Sequence, residues 1–231
     1  MPGLAGYPSA RRWPPRNPDA IRLCALPTSN GVKAGTAVEA IGLACDGHRI
    51  EFASNDQMSA EFLNLSPNTR IPAMLDPHGP DGQPLARFES GAILIDPAQK
   101  SGKFLPVANR YAVLQWLMFQ MGAVGPMFGQ PGDVHGFAGK EIEDPPPKRR
   151  LRAETARLVK VLDRALAGRE RIAKAQSIAD RALGPWLWAL RDFDEVGAVT
   201  GPPDARNVEK YIDSFLERPA VQRGFLVPVT L

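Results

Sequence analysis

The chain has 231 residues, of which 44% are hydrophobic and 23% are charged, as in an ordinary globular protein of one or two domains. Its net charge of +3 comes from basic residues that are spread along the sequence, which argues against a nucleic-acid-binding surface. The two cysteines fit neither a disulfide framework nor a Cys-x-x-Cys centre, and the three histidines lack metal-ligand spacing, so we expect surface histidines and no metal.

Residues 1–20 are interpreted as a disordered N-terminal extension. Five prolines and three arginines fall in this segment, and it has no apolar h-region. We therefore do not interpret it as a secretory leader. A chain with two cysteines and no disulfide pattern is typical of the cytoplasm, which is where we expect the protein to act.

Residues 21–105 are predicted to form an α/β domain. Strands and helices alternate and then give way to a hairpin and a helix: strands 21–26 and 48–52, helices 33–43 and 59–65, hairpin strands 71–75 and 85–88, and a closing helix 89–99. This order of elements is that of a thioredoxin-like domain.

Residues 106–231 show helical patterns only, so we predict an all-helical C-terminal domain. Ser177 and Asp180 have the spacing of a capping box, which marks the start of a helix. The stretch 111–132 carries no charge, but glycines and prolines interrupt it. We interpret it as a buried helix ending near Met121 and not as a membrane span.

Two short motifs point to a ligand site. In the first, Ile71 precedes Pro72 just before an apolar strand, and an X-Pro bond at such a turn is a candidate cis peptide. A cis bond would leave the backbone of Ile71 able to pair with an extended ligand. In the second, Glu89 and Ser90 open a helix, whose unpaired N–H groups and positive dipole end favour a carboxylate. Together the motifs predict a site for a small charged peptide.

Thr28 and Asn30 lie in a Pro-Thr-Ser-Asn-Gly turn that leads from the first strand into a helix. A hydroxyl or amide donor beside the positive end of a helix stabilises a thiolate, which is the reactive form of a thiol. The alternative is that Thr28 or Asn30 only caps the helix.

These residues resemble the glutathione site of cytosolic glutathione transferases, and the bacterial nu class in particular. The likeness spans nearly the whole chain, in order: residues 21–33, Asn55-Asp56-Gln57, Ile71-Pro72-Ala73, Glu89-Ser90-Gly91, 114–122, 125–130, Ser177-Ile178-Ala179-Asp180 and 218–224. The resemblance implies a thioredoxin-like domain, an all-helical domain, a homodimer and glutathione as co-substrate.

The resemblance also implies roles for individual residues. Thr28 and Asn30 would lie near the thiol, Gln57 and Arg70 would hold the glycine end, and Ile71 would pair with the cysteinyl backbone. Glu89 and Ser90 would hold the γ-glutamyl end, and Arg150 would reach the site from the helical domain.

The nu class implies reduction of disulfides by glutathione, with some peroxidase activity, and no catalytic cysteine in the protein. The partner of glutathione would then be a small disulfide, a peroxide or an electrophile, with no nucleic acid and no membrane involved. Two alternatives stay open. One is conjugation of glutathione to electrophiles, including the cleavage of aromatic ethers, and the other is glutathione binding without catalysis.

Three departures from the family pattern suggest an atypical member. Cys24 replaces a tyrosine of the first strand, and it is expected to be a small buried residue, with a reactive thiol as the alternative. Pro97 falls inside the closing helix, which should bend or end early. Arg181 follows the capping box where the family prefers an apolar residue.

Overall fold

A computed structural model describes residues 4–136, 145–193 and 204–228. The chain divides into two compact units. The first contains residues up to Lys103 together with the segment from Pro219 onward, and the second contains Phe104–Arg218. The helical unit therefore ends earlier than the predicted domain 106–231, because the last helix packs with the first unit.

The first unit is built on a four-stranded sheet in the order β2-β1-β3-β4. β1 (Ile21–Ala25) pairs in parallel with β2 (Cys45–Arg49) and antiparallel with β3 (Ala73–Asp76), and β4 (Leu85–Arg87) pairs antiparallel with β3. This mixed sheet with its crossover helix is the predicted thioredoxin-like arrangement.

The described residues of the first unit also form five α-helices. They are α1 (Ser9–Arg12), α2 (Ser29–Ile41), α3 (Ala60–Leu63), α4 (Ser90–Ser101) and, from the end of the chain, the helix Pro219–Gly224, which we label α10. On one sheet face Leu23, Met74 and Ile93 pack together, and on the other face Cys24 and Phe62 belong to a second apolar cluster. Successive side chains of β1 point to opposite faces of the sheet, and both faces are covered by an apolar cluster. The whole strand is therefore buried.

The second unit contains α5 (Arg110–Phe119), α6 (Gly125–Gly136), α7 (Pro145–Ala165), α8 (Ile178–Trp188) and α9 (Arg206–Leu216). The predicted end near Met121 is wrong, because a π-helical segment, Gln120–Val124, joins α5 to α6. Pro126, which has no N–H to donate, directly follows this π-helical segment, where the Gly125 amide donates to the Gln120 carbonyl. The predicted capping box is confirmed: the Asp180 carboxylate accepts from the Ser177 amide at 2.9 Å.

The predicted disorder of residues 1–20 is wrong for residues 4–20. Trp13 packs edge-on against Phe62, with ring centroids 6.3 Å apart, and α1 lies beside α3. Arg16 pairs with Asp46, donating from its backbone N–H at 2.7 Å and from Nε at 2.8 Å. The packing of Trp13 and the pairing of Arg16 with a buried carboxylate thus order a segment whose proline content suggested a free tail.

Two further expectations in the first unit are corrected. His48 is buried in β2 beside Asp46, with 3.6 Å between Nε2 and the carboxylate, whereas surface histidines were predicted. The helix that contains Pro97 does not end early, since α4 continues to Ser101. The Ser101 hydroxyl donates to the Pro97 carbonyl at 2.7 Å, and this bond supports the last turn.

Candidate functional site

The strand directions bring the predicted site residues to one edge of the sheet. β2 runs parallel to β1, so the two strands end together, with Ala25 opposite Arg49. β3 begins and β4 ends at the same edge, because both pairings across β3 are antiparallel. The segments that meet there contain every predicted site residue except Arg150: Thr28, Asn30, Gln57, Arg70, Ile71, Glu89 and Ser90.

Thr28 is the N-cap of α2. Its Oγ1 accepts a hydrogen bond from the Gly31 amide at 3.2 Å, and its backbone is extended. Gly31 is required here, since a Cβ atom at this position would stand 1.9 Å from the Leu26 carbonyl oxygen. The side chain of Thr28 is exposed, and its hydroxyl proton can still be donated while Oγ1 accepts. Capping the helix and donating to a ligand are therefore compatible roles.

Asn30 and Ser90 are linked across the start of two helices. The Ser90 hydroxyl lies 3.5 Å from Oδ1 of Asn30, and Ser90 is buried at the first position of α4. Two of the sequence motifs, which are sixty residues apart, therefore meet at one point.

Lys33, which the sequence analysis did not assign to the site, lies next to the contact between Asn30 and Ser90. It is 1% exposed, and its Nζ donates to the Ser90 hydroxyl at 3.2 Å. Burial lowers the pKa of Lys33 to about 7, against the opposing effect of the Glu89 charge. The helix was predicted to begin at residue 33, whereas α2 begins at Ser29, and only the longer helix puts Asn30 and Lys33 on one face as an i, i+3 pair.

Glu89 precedes α4 in a backbone conformation that is uncommon for a residue with a side chain. Its φ is 69°, its ψ is 115°, and its side chain is exposed. Such a conformation costs free energy and is found preferentially at functional sites. It leads directly into the N-terminus of α4, whose N–H groups and dipole favour an anion.

Gln57 and Ile71 lie in the remaining two segments of the edge. Gln57 is half-buried, and its Oε1 has no hydrogen-bond partner within the described ranges. The neighbouring Asp56 accepts from the Glu51 amide at 2.9 Å and pairs with Arg12 of the N-terminal segment, which fixes this turn. The Ile71-Pro72 peptide bond is cis, in agreement with the sequence interpretation.

Arg70 and Arg150 are both exposed. The Arg70 carbonyl accepts from the Ser66 hydroxyl at 2.9 Å, which holds the backbone just before the cis bond. Arg150 lies in the second unit, on α7, and lines a cavity of about 940 Å³ there with Met127 and Arg157. Its predicted role at the glutathione site stays a prediction.

The two cysteines are free thiols, and burial raises the pKa of both Cys24 and Cys45 to about 12. A thiol with such a pKa carries almost no thiolate near neutral pH. Cys24 is 2% exposed in the apolar cluster with Phe62, so it is the small buried residue that the sequence predicted. The alternative of a reactive Cys24 thiol is not supported.

Within the described part of the chain, no helix is long and apolar enough to cross a membrane. The same residues include no group of three or more histidine, cysteine, aspartate or glutamate side chains that could hold a metal ion.

Similar proteins were found by sequence and by structure. The chain is 39% identical to the disulfide-bond oxidoreductase YfcG of Escherichia coli (strain K12), over 89% of this chain and 94% of the relative. It is 47% identical to a glutathione transferase of Burkholderia graminis, solved with two glutathione molecules per subunit (TM-score 0.95, 100% of this chain and 98% of the other). A glutathione transferase of Pseudomonas putida, solved with one glutathione disulfide per subunit, is 50% identical (TM-score 0.92, coverage 97% and 99%). No family model matches the chain.

Proposed function

Because the chain belongs to the glutathione transferase family of enzymes, we propose that it reduces small disulfides with glutathione and that the sheet edge described above holds the glutathione. The observation that carries this proposal is the meeting of two helix N-termini, those of α2 and α4, at the Asn30–Ser90 contact. One N-terminus suits a thiolate and the other suits a carboxylate, and glutathione carries both groups.

The residues have separate tasks in this proposal. Thr28 and Asn30 donate hydrogen bonds to the sulfur, while Ile71 pairs with the cysteinyl backbone of glutathione. Glu89 accepts from the γ-glutamyl ammonium, and the backbone N–H of Ser90, at the N-terminus of α4, binds the adjacent carboxylate. Gln57 and Arg70 hold the glycine carboxylate. Gln57 donates to this carboxylate through Nε2, and its Oε1, which has no hydrogen-bond partner among the described residues, can accept from the neighbouring peptide N–H of glutathione.

The reaction consists of two thiol–disulfide exchanges. A glutathione thiolate attacks one sulfur of the substrate disulfide, forming a mixed disulfide and releasing one substrate thiolate. A second glutathione thiolate then attacks the glutathione sulfur of the mixed disulfide, giving glutathione disulfide and the second thiolate. Both released thiolates take up protons. Relatives that hold two glutathione molecules or one glutathione disulfide per subunit support this sequence.

No protein thiol takes part in these steps. Since Cys24 and Cys45 each have a pKa raised to about 12, neither competes with glutathione as the nucleophile. We include weak peroxidase activity in the proposal. The thiolate attacks one peroxide oxygen, the O–O bond breaks, and the other oxygen leaves as an alcohol or water after taking up a proton. The glutathione sulfenic acid then condenses with the second glutathione to give glutathione disulfide and water.

The test is a coupled assay with 2-hydroxyethyl disulfide, together with titration by glutathione. We expect Asn30→Ala to lower kcat/KM about 100-fold, because removing one hydrogen-bond donor to an anion has an effect of this size. The affinity for glutathione should change less. The exposed Asn64→Ala is the matched control and should behave as the wild type. Binding of glutathione without turnover of the disulfide would instead indicate conjugation to electrophiles, which an assay with an aromatic electrophile would detect.

A further inference from the structure

Lys33 has an environment that an ordinary lysine of a helix does not have. It is 1% exposed, on the face of α2 that is turned toward α4, and its Nζ donates to the Ser90 hydroxyl. Burying a lysine costs free energy unless the charge has a partner, and the Ser90 hydroxyl is one such partner.

The contacts form a directional chain from Lys33 to Asn30. Lys33 Nζ donates to Ser90 Oγ at 3.2 Å, and Ser90 Oγ in turn lies 3.5 Å from Asn30 Oδ1. An ammonium has only donors, so it occupies an acceptor site of the hydroxyl and directs the hydroxyl proton away from itself. The acceptor in that direction is the Asn30 carbonyl oxygen. The second contact is long, as hydrogen bonds of catalytic groups often are before the ligand binds.

We propose that Lys33 is a positioning residue of this site: its ammonium orients the Ser90 hydroxyl toward the Asn30 carbonyl, so that Asn30 turns its amide N–H groups to the sulfur of glutathione. This inference rests on the proposed function. It adds a residue that does not touch the reacting atoms but decides which end of the Asn30 amide faces them. Without the ammonium, the Ser90 hydroxyl loses the donor that occupies its acceptor site, and Asn30 can turn its oxygen, which repels a thiolate, toward the sulfur.

The chain of contacts depends on the charge of Lys33. The elements around α2 carry these charged side chains: Glu89, Asp96 and Lys100 on or beside α4, Arg22 on β1 and Arg223 on α10. Lys100 pairs with Asp76 and Arg223 pairs with Glu39, and the charge of Glu89 acts on Lys33, where it opposes the lowering of the lysine pKa by burial. Arg22 shares a strand face with Cys24, whose cluster lies on the other side of the sheet from Leu23 and α2.

The pH dependence follows from these facts. The pKa of Lys33 is lowered from 10.5 to about 7, so the ammonium is lost as the pH rises through neutrality. The orientation of Ser90 and Asn30 should therefore be strongest at acidic pH and weaken above pH 7. A variant that has no charge at position 33 should lack this dependence.

The experiment compares wild type with Lys33→Met in the 2-hydroxyethyl disulfide assay between pH 6 and 9. The titration of glutathione itself cancels in the ratio of the two kcat/KM values. We expect a ratio of about 10 or more at pH 6 that falls toward one at pH 9. Lys160→Met, an exposed lysine of the second unit, is the control and should show a ratio of one throughout. A ratio that does not change with pH, or a ratio of one at pH 6, would overturn the inference.

Two further readouts keep the test decisive. Unfolding in urea measures the free energy of unfolding of wild type and of Lys33→Met. The difference in favour of wild type should grow as the pH rises from about 7 to 10.5, because over this range the unfolded chain holds the lysine proton and the folded protein does not. No such gain would mean that Lys33 keeps its charge and that the pH-dependent part is wrong. If wild type itself fails to reduce the disulfide, the proposed function fails, and the glutathione affinity of the two proteins, compared at pH 6 and pH 9, then tests Lys33 independently.

Discussion

The starts of α2 and α8 use the same capping chemistry for different purposes. At α8 the cap is closed: Ser177 and Asp180 are both fully buried, and each satisfies backbone or hydroxyl groups of the other. At α2 the cap is open: the Thr28 side chain is exposed, and its Oγ1 accepts from the Gly31 amide. A helix start closed by its own side chains contributes stability, whereas an open one leaves donors and a positive dipole end for a ligand.

The two helices also differ in how they hold a buried cation. Lys33 of α2 donates to Ser90, whereas Arg181 of α8 lies over the ring of Phe104, with 5.3 Å from its guanidinium carbon to the ring centroid. With the amide oxygen of Gln176 turned toward it, Arg181 also donates through Nη2 at 3.0 Å. Its Nε and Nη1 have no hydrogen-bond partner among the described residues. Burial and the nearby Arg218 lower the pKa of Arg181 to about 10.

The largest effect is expected from opening the closed cap with Asp180→Ala. The carboxylate accepts from the amides of Ile172 and Ser177 and from the Tyr211 hydroxyl, at 3.1, 2.9 and 3.0 Å, and all these donors would lose a buried partner. We expect the free energy of unfolding to fall by about 3 to 5 kcal/mol in urea denaturation. The exposed Glu209→Ala serves as control, and a loss no greater than that of the control would show that the box is not a stability element.

Removing the open cap with Thr28→Ala should separate stability from activity. The free energy of unfolding should fall by about 1 kcal/mol, the usual value for an N-cap, while disulfide turnover falls about 100-fold. Thr28→Ser keeps the hydroxyl and should restore both quantities. If turnover stays at the wild-type level while the stability falls, Thr28 is a cap only.

The smallest effect is expected from Arg181→Met, which replaces the buried cation of α8 by an apolar side chain. Loss of the hydrogen bond to Gln176 is offset by relief of the desolvated charge and of its repulsion with Arg218, so the free energy of unfolding should change by less than about 1 kcal/mol. Urea denaturation measures this change in the free energy of unfolding, with the exposed Arg157→Met as the control. A loss of several kcal/mol would mean that Arg181, like Lys33, has a position-specific task.

Local motifs made most of the site predictable. The cis bond at Ile71 and the helix start at Ser90 both follow from a few neighbouring residues, and β1 is an apolar run that ends at a proline. Lys33 could not be found in this way. Its contact with Ser90 joins residues 57 positions apart, and nothing in the sequence near Lys33 indicates that this face of the helix is buried.

The position of β2 could not be predicted from the local sequence pattern, because it depends on a contact with a distant segment. It was predicted over 48–52, where apolar residues lie, but it spans Cys45–Arg49, which contains Asp46 and His48. These polar residues are buried because Arg16 of the N-terminal segment pairs with Asp46. Since the same segment was predicted to be disordered, the partner that permits a polar strand was missing from the prediction, and one error led to the other.

The packing of α10 on α2 bears on the order in which the protein is made. Gly35 and Gly224 lie so close that a Cβ atom on Gly35 would stand 2.4 Å from the Gly224 carbonyl oxygen. Residues 219–228 leave the ribosome only after the whole helical unit has been synthesised. Until then, the face of α2 that packs against α10 has no covering helix. The first unit, which is begun first, is therefore completed last.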